Sequence, residues 1–174
     1  LFKRSARSEI WGDFRCFGRR QFRYIWMFSK GKTALYRGSI TGYGHTGPFK
    51  SRPGYDLIVQ ATGGFMSITG PANGDPSRAG VAIADISTGM FAANAILAAL
   101  FYRNKTGEGQ KIDMSLLDSQ VALLSYAATN YFVSGQVTKR LGNAHPNIVP
   151  YQSFKAKDMH FVLAVGNDKQ WEIF

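Results

Sequence analysis

Asp85 is the residue of this sequence best placed to do chemistry. It follows the small apolar run Gly80-Val81-Ala82-Ile83-Ala84 and leads straight into a long apolar stretch. No other carboxylate lies between Asp75 and Glu108. An aspartate at a helix start meets backbone N–H groups that have no partner within the helix, and these favour its charged form. An ionised, desolvated carboxylate can attack an activated acyl group as a covalent nucleophile. The same amides can hold an oxyanion as it develops. A plain N-cap has the same spacing and merely satisfies orphan donors. Residue types and spacing leave both readings open.

The other constellations are weaker. Ser87 and Ser115 have no histidine near them in sequence, and no nucleophile-elbow motif is present. His145, between Ala144 and Pro146, reads as an acid/base residue or as a hydrogen-bonded structural one. The glycine-rich stretch Gly42–Gly54 has the composition to wrap a phosphate or a pantetheine arm, but it matches neither standard phosphate loop, and loop structure is its default. His45, His145 and His160 are far apart, and Cys16 is the one cysteine. That excludes a disulfide framework within the chain and a cysteine-based zinc site, and no metal is expected.

These residues need elements to position them. Ser39-Ile40-Thr41-Gly42-Tyr43-Gly44 reads as a strand end running into a glycine turn. Tyr55–Thr62 reads as a short helix, with Asp56 in the first turn and Gly63-Gly64 at its end. Gly70–Pro76 is a loop. Ser87–Tyr102 predicts a helix that is apolar nearly all round and so buried on most faces. It is shorter than a membrane span requires and carries Ser87, Thr88 and Asn94, which favours a soluble core helix. Lys111–Ser115 predicts a strand, Leu116–Phe132 a second helix, and Gly135–Pro150 a loop. Tyr151–Phe154 and Phe161–Val165 are strand-like around a turn at Lys157-Asp158. A helix is expected from Lys169 onward.

The chain has 174 residues, enough for one domain or a large piece of one, and at 45% hydrophobic it is too apolar to be disordered throughout. Its net charge of +10 is unevenly spread. Residues 1–38 hold ten Lys/Arg against two acids, and residues 39–174 hold eleven against nine. A polyanion-binding argument therefore concerns residues 1–38 alone. There, aromatics sit among arginines without a sustained period. The segment reads as a poorly ordered or non-native end, with a targeting segment or a basic nucleic-acid arm as alternatives. The chain opens on Leu1 and stops at Phe174 without a turn signal, which gives the expectation of a fragment of a longer protein.

Seven blocks carry a resemblance. They are Ser39–Gly44 with Gly47-Pro48, Pro53-Gly54-Tyr55-Asp56, Ile68-Thr69-Gly70 with Gly74-Asp75-Pro76, Asp85-Ile86-Ser87-Thr88-Gly89-Met90, Lys105–Gln110, Asn147–Gln152 and Gly166-Asn167-Asp168. Their order and spacing resemble class III CoA-transferases, the carnitine and bile-acid CoA-transferase family, most closely the succinyl-CoA:glutarate and formyl-CoA:oxalate branches. The resemblance implies an α/β fold. Residues 39–148 would form the central part of a Rossmann-like large domain carrying the catalytic Asp85, and residues 149–174 the start of a small α+β domain, with 1–38 standing apart.

It also implies that Asp85 attacks an acyl-CoA thioester and passes through a mixed anhydride to an aspartyl-CoA thioester. Tyr55 and Asp56 would be substrate contacts, with coenzyme A as acyl-CoA co-substrate and a small carboxylic acid as acceptor. The full-length form would be an interlocked homodimer without nucleic-acid or membrane partners, cytoplasmic or alternatively mitochondrial. The racemases of the same family carry a histidine where this chain has Tyr55. A tyrosine is a poor base at neutral pH, which favours transfer over racemisation.

Overall fold

The computed structural model describes residues 24–29 and 35–174, with side chains from residue 38 onward. Its elements are β1 (Tyr24–Ser29), β2 (Leu35–Thr41), α1 (Asp56–Thr62), α2 (Phe65–Ile68), α3 (Ile83–Thr106), β3 (Lys111–Ser115), α4 (Leu116–Ala122), α5 (Tyr126–Ser134), β4 (Tyr151–Lys155), β5 (His160–Ala164) and α6 (Asp168–Ile173). The α/β class is the one expected. The chain divides into two compact units. One holds the described residues up to Gly63 together with Val81–Leu123, and the other holds Gly64–Gly80 with Leu124–Phe174.

In the first unit β1 pairs antiparallel with β2, and β2 pairs parallel with β3. Parallel neighbours cannot be joined by a tight turn, and α1 and α3 lie in the crossover between them. β2 begins at Leu35, so the end of the basic segment is strand. Every Lys and Arg of residues 1–38 except Arg37 lies outside the described residues, and so do the readings placed on them.

α1 stands where it was expected, with Tyr55 as its extended N-cap, Asp56 in its first turn and Gly63 as its C-cap. α3 starts four residues before the expected Ser87 and runs on to Thr106. Gly107, at φ 78°, closes it with an N–H donated to the Arg103 carbonyl at 2.7 Å, a left-handed stop that suits glycine.

The expectation that this helix is buried on most faces is corrected. Ala84, Ser87, Thr88, Ala92 and Ala99 form a buried stripe of small residues, whereas Met90 and Leu97 are 65% and 64% exposed. Small side chains let α3 pack against β2, β3, α1 and α4, and no described element of its own unit covers its bulky apolar face. Its length and hydropathy alone would pass for a membrane span. Its packing against the sheet makes it a helix of the α/β unit. The core beneath is compact: Val59, Ala84 and Leu116, with Ile40, Tyr43 and Leu117 packed on it.

The helix expected over Leu116–Phe132 is two helices. Ser115 caps α4, its hydroxyl accepting the Asp118 N–H at 3.2 Å. The helical path breaks at Leu123–Ser125, where Ser125 has φ 48°. No glycine or proline announces that break, and it coincides with the passage of the chain from one compact unit to the other.

In the second unit β4 and β5 form an antiparallel hairpin around the expected turn, closed by the Ala156 N–H on the Met159 carbonyl at 2.8 Å. The Gly70–Pro76 loop is held by Arg140, which donates to the Gly74 carbonyl at 2.9 Å. α6 starts on Asn167, whose side chain accepts the Gln170 N–H at 2.9 Å.

Candidate active site

A cleft of about 370 Å³ opens in the first unit at the start of α3. Ile40 and Thr41 of β2, Gly42, Gly54, Tyr55, Asp56, Leu116 and the first turns of α3 (Asp85, Thr88 and Gly89) line it. Asp85 and the two contacts that the resemblance implied, Tyr55 and Asp56, therefore lie in one cavity. Gly42 and Gly54, the ends of the glycine-rich stretch, join them, as do Thr41 and Thr88, which were not foreseen as site residues.

The loop from Gly42 to Gly54 is fixed at both ends. At its start the Leu117 N–H donates to the Gly42 carbonyl at 3.1 Å, and the Gly44 N–H donates to Thr41 Oγ1 at 2.8 Å. His45 then ties the loop to the sheet. Its N–H donates to Asp113 Oδ2 at 2.8 Å, and its Nε2 lies 2.6 Å from Ser39 Oγ. Ser39 and Asp113 are register partners on β2 and β3, so one histidine grips a cross-strand pair. At the far end a Cβ on Gly54 would lie 2.4 Å from the Gly42 Cα. Both positions must be glycine for the two backbones to meet. The amides of Gly44 and His45 are thus engaged inside the protein rather than presented to an anion.

Asp56 follows directly. Its Oδ1 accepts the Ala84 N–H at 2.8 Å, and its Oδ2 accepts Gln60 Nε2 at 2.6 Å. The N-cap position of α3 is Ala82, which has no side chain to cap with. Asp56 supplies the missing acceptor from another helix, satisfying one of the orphan donors. Tyr55, 54% exposed, stands beside it on the cleft wall.

Asp85 is the third residue of α3 and exposed. Its pKa is raised, first by desolvation where surrounding protein screens the carboxyl and second by the negative charge of Asp56. The helix terminus alone would push it the other way. The neighbourhood thus works against the helix amides, a contribution that the sequence alone does not reveal. A more basic carboxylate is the better nucleophile once ionised.

The remaining sequence candidates take structural places. His145 belongs to the second unit and does not line the cleft. Its ring lies 5.1 Å from that of Tyr126 and 5.3 Å from that of Tyr151, and Nδ1 accepts the Asn147 N–H at 3.1 Å. Ser87 donates to the Ala84 carbonyl at 3.1 Å, and Ser115 is a helix cap. Among the described residues no three His, Cys, Asp or Glu side chains gather as metal ligands.

The sequence pattern of CoA-transferase family III matches residues 30–174. The chain belongs to that family. The match starts nine residues before Ser39, so it takes in β2 and part of the segment that composition had set apart. Succinyl-CoA:glutarate CoA-transferase of Homo sapiens is 53% identical over 133 residues, 76% of this chain and 30% of that protein. Succinate–glutarate CoA-transferase of Agrobacterium fabrum is 55% identical over 133 residues, 76% of this chain and 33% of that protein. The crystal structure of a CaiB/BaiF family protein from Brucella suis matches with a TM-score of 0.69 at 50% identity, covering 77% of this chain and 35% of that one. The chain thus spans about a third of the length of the relatives it matches.

Proposed function

We propose that this chain carries the acyl-accepting carboxylate of a CoA-transferase, with succinyl-CoA and glutarate as donor and acceptor. The observation that carries the reading is Asp85, a carboxylate of raised pKa on the wall of a cleft, within a chain of CoA-transferase family III. The substrate pair is taken from the names of relatives more than half identical to the matched region.

The reaction follows from the chemistry of a carboxylate and a thioester. An Asp85 oxygen attacks the thioester carbonyl, the C–S bond breaks, and CoA leaves as thiolate from a mixed anhydride. The thiolate then attacks the aspartyl carbonyl of that anhydride. The donor acid departs as its carboxylate, and CoA is held on Asp85 as a thioester. The acceptor carboxylate attacks this thioester and expels the thiolate. The thiolate finally attacks the acceptor's acyl carbon, giving the new CoA ester and free Asp85. Each step consumes one nucleophile and releases one leaving group, so no external base or metal is required.

The cleft has the volume of a small-ligand site and suits the acyl end of the substrate. Tyr55 and Asp56 are its contacts nearest the start of α1. The bulky outer face of α3 supports a homodimeric full-length form in which that face is covered.

The test is the intact mass of the full-length protein after incubation with succinyl-CoA. A CoA adduct on Asp85 that hydroxylamine releases is expected, and D85N should form none and lose turnover. An active D85N protein, or an adduct on another residue, refutes the assignment.

A further inference from the structure

Gln60 takes no part in the chemistry above, yet it is fully buried on α1, one turn beyond Asp56. Its Nε2 holds Asp56 Oδ2 at 2.6 Å while Oδ1 of the same carboxylate holds the Ala84 N–H at 2.8 Å. A carboxylate only accepts, so the amide nitrogen is the atom that faces it. With one oxygen tied, the Asp56 carboxylate cannot turn without breaking a charge-assisted hydrogen bond inside the protein. Its other oxygen stays aimed at the first turn of α3, where Ala84 immediately precedes Asp85. The Asp56–Ala84 bond joins positions 28 residues apart and has no help from a local cap. The titratable groups lining the cleft are Tyr55, Asp56 and Asp85; the lining residues from β2, Gly42, Gly54 and Leu116 add none.

We infer that Gln60 is a positioning residue for acyl transfer on Asp85: Gln60 locks Asp56, Asp56 locks the Ala84 N–H, and the first turn of α3 is held in one place on the cleft wall. The inference rests on the reading of Asp85 as the acyl acceptor. Rate is sensitive to such placement, because a shift of about 1 Å at the reacting group can cost on the order of a hundredfold.

Two variants of the full-length protein test it. Gln60→Leu removes the donor and should lower kcat about 10- to 100-fold with little change in KM, equally at every pH. Exchange of the Ala84 amide hydrogen should quicken by about tenfold or more, reporting local opening. Gln60→Glu keeps the shape but sets one carboxylate against another. As pH falls the pair shares a proton and the hydrogen bond returns, so its deficit relative to wild type should narrow toward low pH. A filler of space would show no such recovery. Unchanged rates and unchanged Ala84 exchange in both variants, or a Gln60→Glu deficit that ignores pH, overturn the role of Gln60 while a wild-type CoA adduct leaves Asp85 in place. A wild-type protein with no adduct on Asp85 overturns both, and the exchange measurement then still shows whether Gln60 holds Ala84.

Discussion

Gly54→Ala should damage the cleft more than the fold. A Cβ at this position would lie 2.4 Å from the Gly42 Cα and 3.2 Å from its carbonyl carbon. Unbonded carbons settle at about 3.5–4.0 Å, so the two backbones must part by about 1 Å or more. Gly42 has little room to yield, because the Leu117 N–H holds its carbonyl at 3.1 Å. The displacement therefore passes to Gly54 and on to Tyr55 and Asp56, which line the cleft, and Asp56 also caps α3. Overpacking of this kind destabilises by about 1–3 kcal/mol. A misplacement of about 1 Å near the reacting groups lowers the rate by about a hundredfold. The assay is kcat and KM for CoA transfer in the full-length protein, beside urea unfolding midpoints. Gly80→Ala is the matched control: its Cβ would meet nothing within 4 Å, and stability should stay within about 0.5 kcal/mol with turnover unchanged. If Gly54→Ala keeps turnover within about threefold of wild type, the claim that this glycine contact sets the cleft is wrong.

Two further outcomes are expected. Asp56→Asn removes the charge that helps to raise the Asp85 pKa. Asp85 must be ionised to attack, so activity rises with pH through its pKa, and the acid limb of the pH–rate profile should move to lower pH. An acid limb that stays put or moves upward would show that Asp56 does not act on Asp85 through its charge. Gln120 is fully buried, and neither its Oε1 nor its Nε2 has a hydrogen-bond partner among the described residues. Exchanging it for Met, of similar shape, should raise stability by about 1–3 kcal/mol in urea unfolding, and a loss of stability would reveal a partner for the amide.

Much of this site was legible in the sequence because it rests on local chemistry. Asp56 opens α1 because a carboxylate suits a first turn, Gly63 ends that helix, and the apolar stretch after Asp85 makes α3. The family resemblance rested on short blocks whose glycines and carboxylates keep their order, and the family match agrees. What stayed hidden depends on partners distant in the chain. No spacing rule links Asp56 to the Ala84 amide, His45 to Asp113, or Gly42 to Gly54, since each pair meets only once β2, β3 and the crossover are assembled. The rise of the Asp85 pKa was hidden for the same reason. A helix terminus is visible in sequence, but the desolvation and the facing charge of Asp56 arise from packing. The split of α4 from α5 and the exposed bulk of α3 belong with these, because periodicity shows which face is apolar but not what covers it. Residue order thus determined which side chains could do chemistry and the helices that bear them. Tertiary contacts decided which of them share a cleft and in which direction their charges push, because electrostatics and hydrogen bonding depend on distance through space rather than along the chain.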